Sequence, residues 1–164
     1  MIQVRPASVQ DLDTILEIYN HAVLHTNSVY TEIPNNLEQQ AQWLQEKEAA
    51  DLPVFVAIKE GRLAGYASYS VYRPWSGFRY CREVSVYVHP ECRRQGIARA
   101  LYEQIIEYAR QKGIHVLVAG IDAENSSSIY LHEQFGFEQV GHLKEVGFKF
   151  GKWLDLIFMQ LKLV

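Results

Sequence analysis

The stretch Val86-Tyr87-Val88-His89-Pro90-Glu91-Cys92-Arg93-Arg94-Gln95-Gly96-Ile97-Ala98-Arg99 decides how this chain is read. Just upstream and into it, Val84, Val86 and Val88 alternate with polar or aromatic residues, the period of a β-strand. Downstream, Ile97, Leu101, Ile105 and Tyr108 recur at helical spacing. Between the two runs, Arg93-x-x-Gly96-x-Ala98 predicts a loop that feeds the first turn of a helix. A helix start carries unpaired N–H groups and the positive end of a dipole. Gly96 and Ala98 keep side-chain bulk off the backbone, and Arg93, Arg94 and Arg99 add positive charge. The segment is an anion cradle, suited to a pyrophosphate.

Working outward, Ile2 to Arg5 predicts a short strand, and Ser8 with Asp11 a capped helix that buries Leu12, Ile15, Leu16, Tyr19 and Val23. A polar loop leads to a second helix over Leu37 to Ala50. Val54 to Lys59 and Leu63 to Val71 pair as a hairpin across Glu60-Gly61. Arg73 to Tyr80 is a loop marked by Pro74 and Gly77. A fourth strand covers Arg82 to His89, and a long helix Arg94 to Lys112, closed by Gly113. The apolar run His115 to Ile121 fits a strand covered on both faces. Strand, helix and strand in succession make a parallel crossover. A short helix over Asn125 to Phe135 and two last strands complete the order β-α-α-β-β-β-α-β-α-β-β. The expected fold is α/β, one domain over residues 1–164, with a mixed sheet of about seven strands flanked by about four helices.

At 164 residues such a domain buries roughly 70% of its unfolded surface. A net charge of −3 gives no global attraction to nucleic acid, so any polyanion affinity must be local. Apolar runs such as Val116 to Ala119 fall short of a membrane span. Met1-Ile2-Gln3-Val4-Arg5 has no charged-then-apolar leader, so a cytoplasmic address is expected. Cys81 and Cys92 form no metal spacing, and His21 and His25 lack a third ligand, so no metal is expected. Nucleotide-loop and nucleophile-elbow motifs are absent from the sequence.

Two polar features stand out around the fourth strand. Glu83, Ser85 and Tyr87 share one side of it. An acid in an apolar strand is costly unless paired or reached by water. It is either a general base with a raised pKa or the partner of Arg82 or Arg79 in a salt bridge. Arg73, beside the rigid Pro74, suits bidentate capture of a carboxylate. Its plainer alternative is a solvated surface loop whose Trp75 packs on the core.

The Arg93 to Arg99 turn resembles the acetyl-CoA loop of the GNAT N-acetyltransferase superfamily, with its Gln/Arg-x-x-Gly-x-Gly/Ala signature, and the order of elements is similar along the whole chain. Arg73-Pro74-Trp75-Ser76-Gly77-Phe78-Arg79, Glu83-Val84-Ser85-Val86-Tyr87-Val88, Asn125 to Phe137 and the segment Val146 to Asp155 resemble the phosphinothricin and methionine sulfone N-acetyltransferase subfamily. The resemblance implies acetyl-CoA as co-substrate, held by Val86, Tyr87, Val88, Arg93, Arg94, Gln95, Gly96, Ile97, Ala98, Arg99, Asn125 and Ser128. It implies an acceptor site at Arg73, Pro74, Trp75, Glu83, Val84 and Ser85, with Glu83 as catalytic base. The superfamily often has a tyrosine seven residues after the cofactor-binding asparagine. His132 takes that place here, as in the subfamily, and would protonate the departing thiolate or position the cofactor.

The leading function is therefore N-acetylation of the α-amine of a small amino-acid-like acceptor, such as phosphinothricin, methionine sulfone or methionine sulfoximine. The amine would attack the thioester directly, with a backbone N–H of Val86 to Val88 stabilising the oxyanion. The alternatives are a peptide N-terminal or lysine acetyltransferase and a non-catalytic acyl-CoA-binding module. Relatives are commonly homodimers, so a homodimer is expected, with no nucleic-acid or membrane partner.

Overall fold

The computed structural model describes residues 1–163; Val164, the last residue of the expected domain, lies outside the described residues. Seven strands form a single sheet in the order β1-β2-β3-β4-β5-β7-β6. They are β1 (Ile2–Pro6), β2 (Val54–Lys59), β3 (Arg62–Val71), β4 (Cys81–Val88), β5 (Val116–Asp122), β6 (Glu138–Lys149) and β7 (Lys152–Lys162). The helices are α1 (Leu12–His25), α2 (Leu37–Ala49), α3 (Ile97–Gln111) and α4 (Ser126–Gln134). All neighbours run antiparallel except β4 and β5, which α3 joins as the one parallel pair.

Local chemistry accounts for the boundaries. Asp11 accepts from the Ser8 N–H at 2.8 Å and pairs with Arg5, also at 2.8 Å, so the chain enters α1 through one tight turn. Asn36 and Gln39 form a capping box at α2. Glu60-Gly61 and Phe150-Gly151 both have two consecutive positive φ angles, the conformation that matches the twist of the β2–β3 and β6–β7 hairpins.

The helical stripe read from the sequence is the buried face of α3. Ile97, Leu101, Tyr102, Ile105, Ile106 and Ala109 lie in the main core with Ala64, Ala67, Val84, Leu117 and Met159. Full burial of a residue such as Leu101 stabilises by roughly 1.5–3 kcal/mol. On the opposite face, Ile15 and Ile18 of α1 pack on Val56, Leu63 and Tyr66.

One boundary differs from the sequence reading in a way that matters. The helix begins at Ile97, not Arg94. Arg94 and Gly96 both adopt left-handed conformations, with φ of 58° and 83°. Two such residues bend the chain sharply and aim the following N–H groups outward before the helical ladder starts.

Candidate active site

Strands β4 and β5 pair only from Cys81 to Glu83 with Val116 to Val118. Beyond that point β4 runs on to Val88 and β5 to Asp122 without meeting. The divergence leaves one edge of β4, from Val84 to Val88, with backbone donors and acceptors facing a gap. A cavity of about 90 Å³ fills the gap, lined among others by Val84, Ser85, Val86, Tyr87, Gly120, Ser128 and His132. A second cavity of about 860 Å³ opens from Val86, Val88 and Arg93 across Arg94, Gly96, Ala98 and Arg99 to Asn125, Ser128 and Tyr130. A third, of about 440 Å³, continues past Val86 to Val88 towards His21, Thr26, Asn27 and Ser28.

The large cavity is built for an anion. The backbone N–H groups from Arg94 to Arg99 have no acceptor among the described residues, and the first backbone bond of the helix runs from Ala100 to Gly96. Arg93, Arg94 and Arg99 are exposed around them. Gln95 points elsewhere: its side chain accepts from Lys59 at 2.8 Å and donates to the Glu91 carbonyl at 3.0 Å. Gln95 is thus absent from the cavity wall, and Ile97, which does line it, has its side chain buried in the core. Asn125 caps α4 by accepting from the Ser128 N–H at 3.2 Å, and both residues line the same wall.

Glu83 stands at the last residue pair before the strands separate. No salt bridge reaches it among the described residues. Arg82 donates to the carbonyls of Arg79 and Cys81, and Arg79 to that of Ser76. Burial raises the Glu83 pKa above the ordinary carboxylate value, and the positive charge of Arg73 partly offsets the shift. A Cβ added at Gly120 would lie 3.9 Å from Glu83 Oε1, so the absence of a side chain on β5 leaves open space beside the carboxylate.

His132 is buried, with both ring nitrogens engaged. Its Nδ1 lies 2.6 Å from the Ser128 carbonyl, which can only accept, so Nδ1 carries the proton. Nε2 therefore accepts from the Tyr102 hydroxyl at 2.5 Å. Burial lowers the His132 pKa, against a smaller opposing effect of the Ser128 carbonyl, and keeps the ring neutral. Burial likewise raises the pKa of Tyr102. Tyr102 lines both the gap and the large cavity, with His132 behind it. The sequence signal for Tyr102 was a hydroxyl inside the apolar stripe of α3, which helical spacing alone reads as core.

Arg73, Pro74 and Trp75 are exposed, and Trp75 is 66% accessible rather than packed on the core. The Arg73 guanidinium lies 5.4 Å from the centre of the Tyr72 ring. The structure thus places Val84 and Ser85 in the wall of the gap and Glu83 next to them, its carboxylate near Gly120, and leaves the Arg73 loop open to solvent.

This divided sheet with an anion turn at α3 can be compared with known proteins. The acetyltransferase (GNAT) domain family matches residues 4–158. The chain belongs to the GNAT acetyltransferase family. It is 43% identical over 160 residues, 98% of this chain and 94% of the relative, to the L-methionine sulfoximine/L-methionine sulfone acetyltransferase of Salmonella typhimurium. Among solved structures, a GNAT phosphinothricin acetyltransferase from Sinorhizobium meliloti, in complex with acetyl-CoA, superposes with a TM-score of 0.95 at 36% identity, covering 98% of this chain and 88% of that one. A ribosomal-protein-alanine N-acetyltransferase from Brucella melitensis superposes with a TM-score of 0.96 at 48% identity, covering 98% and 99%. The GNAT fold and membership make this chain an acetyl-CoA-dependent acyltransferase acting on an amine. Among the described residues no group of three or more His, Cys, Asp or Glu could hold a metal ion, and no helix is long and apolar enough to cross a membrane.

Proposed function

We propose that this GNAT enzyme acetylates the α-amine of a free, small amino acid with an oxygen-bearing side chain, of the methionine sulfone, methionine sulfoximine or phosphinothricin type. The observation that carries the reading is Arg73, an exposed guanidinium with no salt-bridge partner among the described residues, whose positive charge acts on Glu83. Arg79, the other arginine of the loop, is already bound to the Ser76 carbonyl. A carboxylate on Arg73 would bring the adjacent amine towards Glu83, and the fork-shaped guanidinium fixes its plane. The relatives named for methionine sulfoximine and sulfone support the same acceptor class.

Acetyl-CoA, when bound, supplies a thioester carbonyl to receive the amine and a thiolate to leave. The residues that would hold it are the unpaired N–H groups of Arg94 to Arg99, the arginines around them, Asn125, Ser128 and the open edge Val86 to Val88. Glu83 takes the proton of the incoming ammonium. A carboxylate whose pKa is raised by burial is a stronger base than a solvated one. Backbone N–H groups on the free edge of β4 face the gap and suit a developing oxyanion. Tyr102 lines both cavities, and His132, locked by Ser128, holds its hydroxyl in place.

The test compares a free amino acid with its carboxamide, in wild type and in Arg73→Lys. The expected result is turnover of the acid alone, with a higher acceptor KM and an unchanged acetyl-CoA KM in the variant. Equal rates on acid and amide would favour an amine carried on a peptide or protein, and the Brucella melitensis protein is named for a ribosomal-protein alanine. We also infer a cytoplasmic homodimer: Val140, Leu143, Val146, Phe148, Phe150 and Trp153 are exposed along the β6–β7 hairpin, where β6 is an open sheet edge. Sedimentation equilibrium at micromolar concentration should give twice the chain mass; a monomer there would reject the dimer.

A further inference from the structure

The longest connection that borders the gap runs from the end of α1 to the start of α2. It contains no regular secondary structure, yet Thr26, Asn27 and Ser28 form cavity wall, and Ser28 reaches the gap beside Ser85 and Gly120. Such a loop needs partners elsewhere for its backbone groups. Lys149, on the last residue of β6, provides them. Its side chain is 1% exposed, and Nζ donates to the carbonyls of Thr26 at 2.6 Å and Val29 at 2.8 Å. The ammonium also lies 4.8 Å from the centre of the Phe150 ring.

Two further tethers join the same two regions. The Tyr30 hydroxyl donates to Asp122 Oδ1 at 2.7 Å and lies 2.9 Å from the Asp155 carbonyl. Its ring fills the space over Gly147, where an added Cβ would come within 2.5 Å of Tyr30 Cδ2. The Phe150 N–H donates to Glu32 Oε1 at 3.0 Å. Asp122 lies two residues beyond Gly120 on β5, so both point to the face of the sheet that carries Glu83. The tethered loop therefore borders the gap on the sheet face that carries Glu83.

We propose that Lys149 is a positioning residue for the acceptor: its ammonium, with Tyr30 seated on Gly147, holds Thr26 to Tyr30 as the fixed wall against which the amino acid is placed beside Glu83. Burying an ammonium on two carbonyls costs solvation, and burial lowers the Lys149 pKa against a smaller opposing effect of the Glu32 carboxylate. The compensation is a loop ordered before the acceptor arrives, which spares the ordering entropy at binding. Thr26 to Ser28 share a cavity with Arg93 and Asn125, but none of the residues Arg94 to Arg99 that form the anion turn lines it, so the two substrates should feel the loss of the wall unequally.

The inference rests on the free amino-acid acceptor, and the experiment separates the two. Lys149→Met keeps the length and apolar stem and removes the donors. Tyr30→Phe keeps the ring on Gly147 and removes only the bonds to Asp122 and Asp155, so it stands in if the first variant does not fold. Each is assayed for KM of the amino acid and of acetyl-CoA, and for hydrogen exchange of amides 26–32. The expected result is an acceptor KM raised about tenfold or more in Lys149→Met and less in Tyr30→Phe. Acetyl-CoA KM should stay unchanged, and exchange should be faster in that segment. Turnover by both variants with unchanged acceptor KM, or equal loss for both substrates, would overturn the positioning role. Absence of wild-type turnover on free amino acids would overturn the acceptor assignment, and with it the wall, whatever the exchange data showed.

Discussion

The side of this GNAT enzyme proposed to hold the cofactor and the side proposed to hold the acceptor are built in opposite ways. The anion turn is contiguous: β4, the loop, and the first turn of α3 occupy one run of sequence, and its donors are backbone groups of neighbouring residues. The acceptor side is assembled from remote segments. Tyr30 reaches Asp122 across 92 positions and Asp155 across 125, while Lys149 reaches Thr26 across 123. A site made of consecutive backbone tolerates many side-chain changes but few conformational ones. A site made of distant side chains has the reverse sensitivity, and can be retuned one residue at a time.

The largest break in this comparison should come from Gly96→Val. At φ +83° a β-branched residue is strained wherever space allows, and here the nearest atom to an added Cβ, Ile2 Cδ1 at 3.6 Å, is no obstacle. The expected outcome is loss of measurable acetyl-CoA binding by calorimetry in a protein that still unfolds cooperatively. Retained affinity would mean that the turn does not hold the pyrophosphate.

Glu83→Gln should lower kcat about 10²–10⁴-fold at neutral pH, with partial recovery as pH rises and the amine deprotonates unaided. The same variant sharpens the reading through stability. The folded Glu83 pKa is raised, so its ionised form is disfavoured in the native state. The group's stabilising contribution is then full below the unfolded pKa of about 4.3 and is lost as pH rises through the folded pKa. Glu83→Gln should accordingly have a higher Tm than wild type near pH 7, with the gain fading at pH 4. A salt-bridged glutamate would give the opposite sign.

The smallest effect is expected for Tyr102→Phe. It removes one hydroxyl from a residue that lines both cavities and leaves His132 Nε2 without its donor, so kcat should fall about tenfold while both KM values hold. An equal kcat in a folded variant would assign the pair a packing role only.

The order of elements and the anion loop were legible because they are local. Alternation in Val84, Val86 and Val88 and the stripe through Ile97, Leu101 and Ile105 each report which face is buried within a single element. Even there the sequence placed the start of the helix at Arg94, since no propensity rule anticipates a left-handed arginine held by its surroundings. Glu83 was visible as a misplaced acid, but its two readings could not be separated until Arg82 and Arg79 were found bonded to loop carbonyls. Likewise the plainer reading of the Arg73 loop packed Trp75 on the core, whereas the side chain is exposed.

By itself, then, the sequence determined the alternation of strands and helices, the turn at Gly96 and the presence of an acid on β4, because short-range sterics and hydrophobic period fix these within a few residues. Only the tertiary structure decided where β4 and β5 part, which of the arginines stays free, that Tyr102 and His132 act as a pair, and that a buried lysine at position 149 fastens the loop after α1. Those outcomes depend on which distant surfaces must share one core, and on polar groups that find partners only after that core has formed.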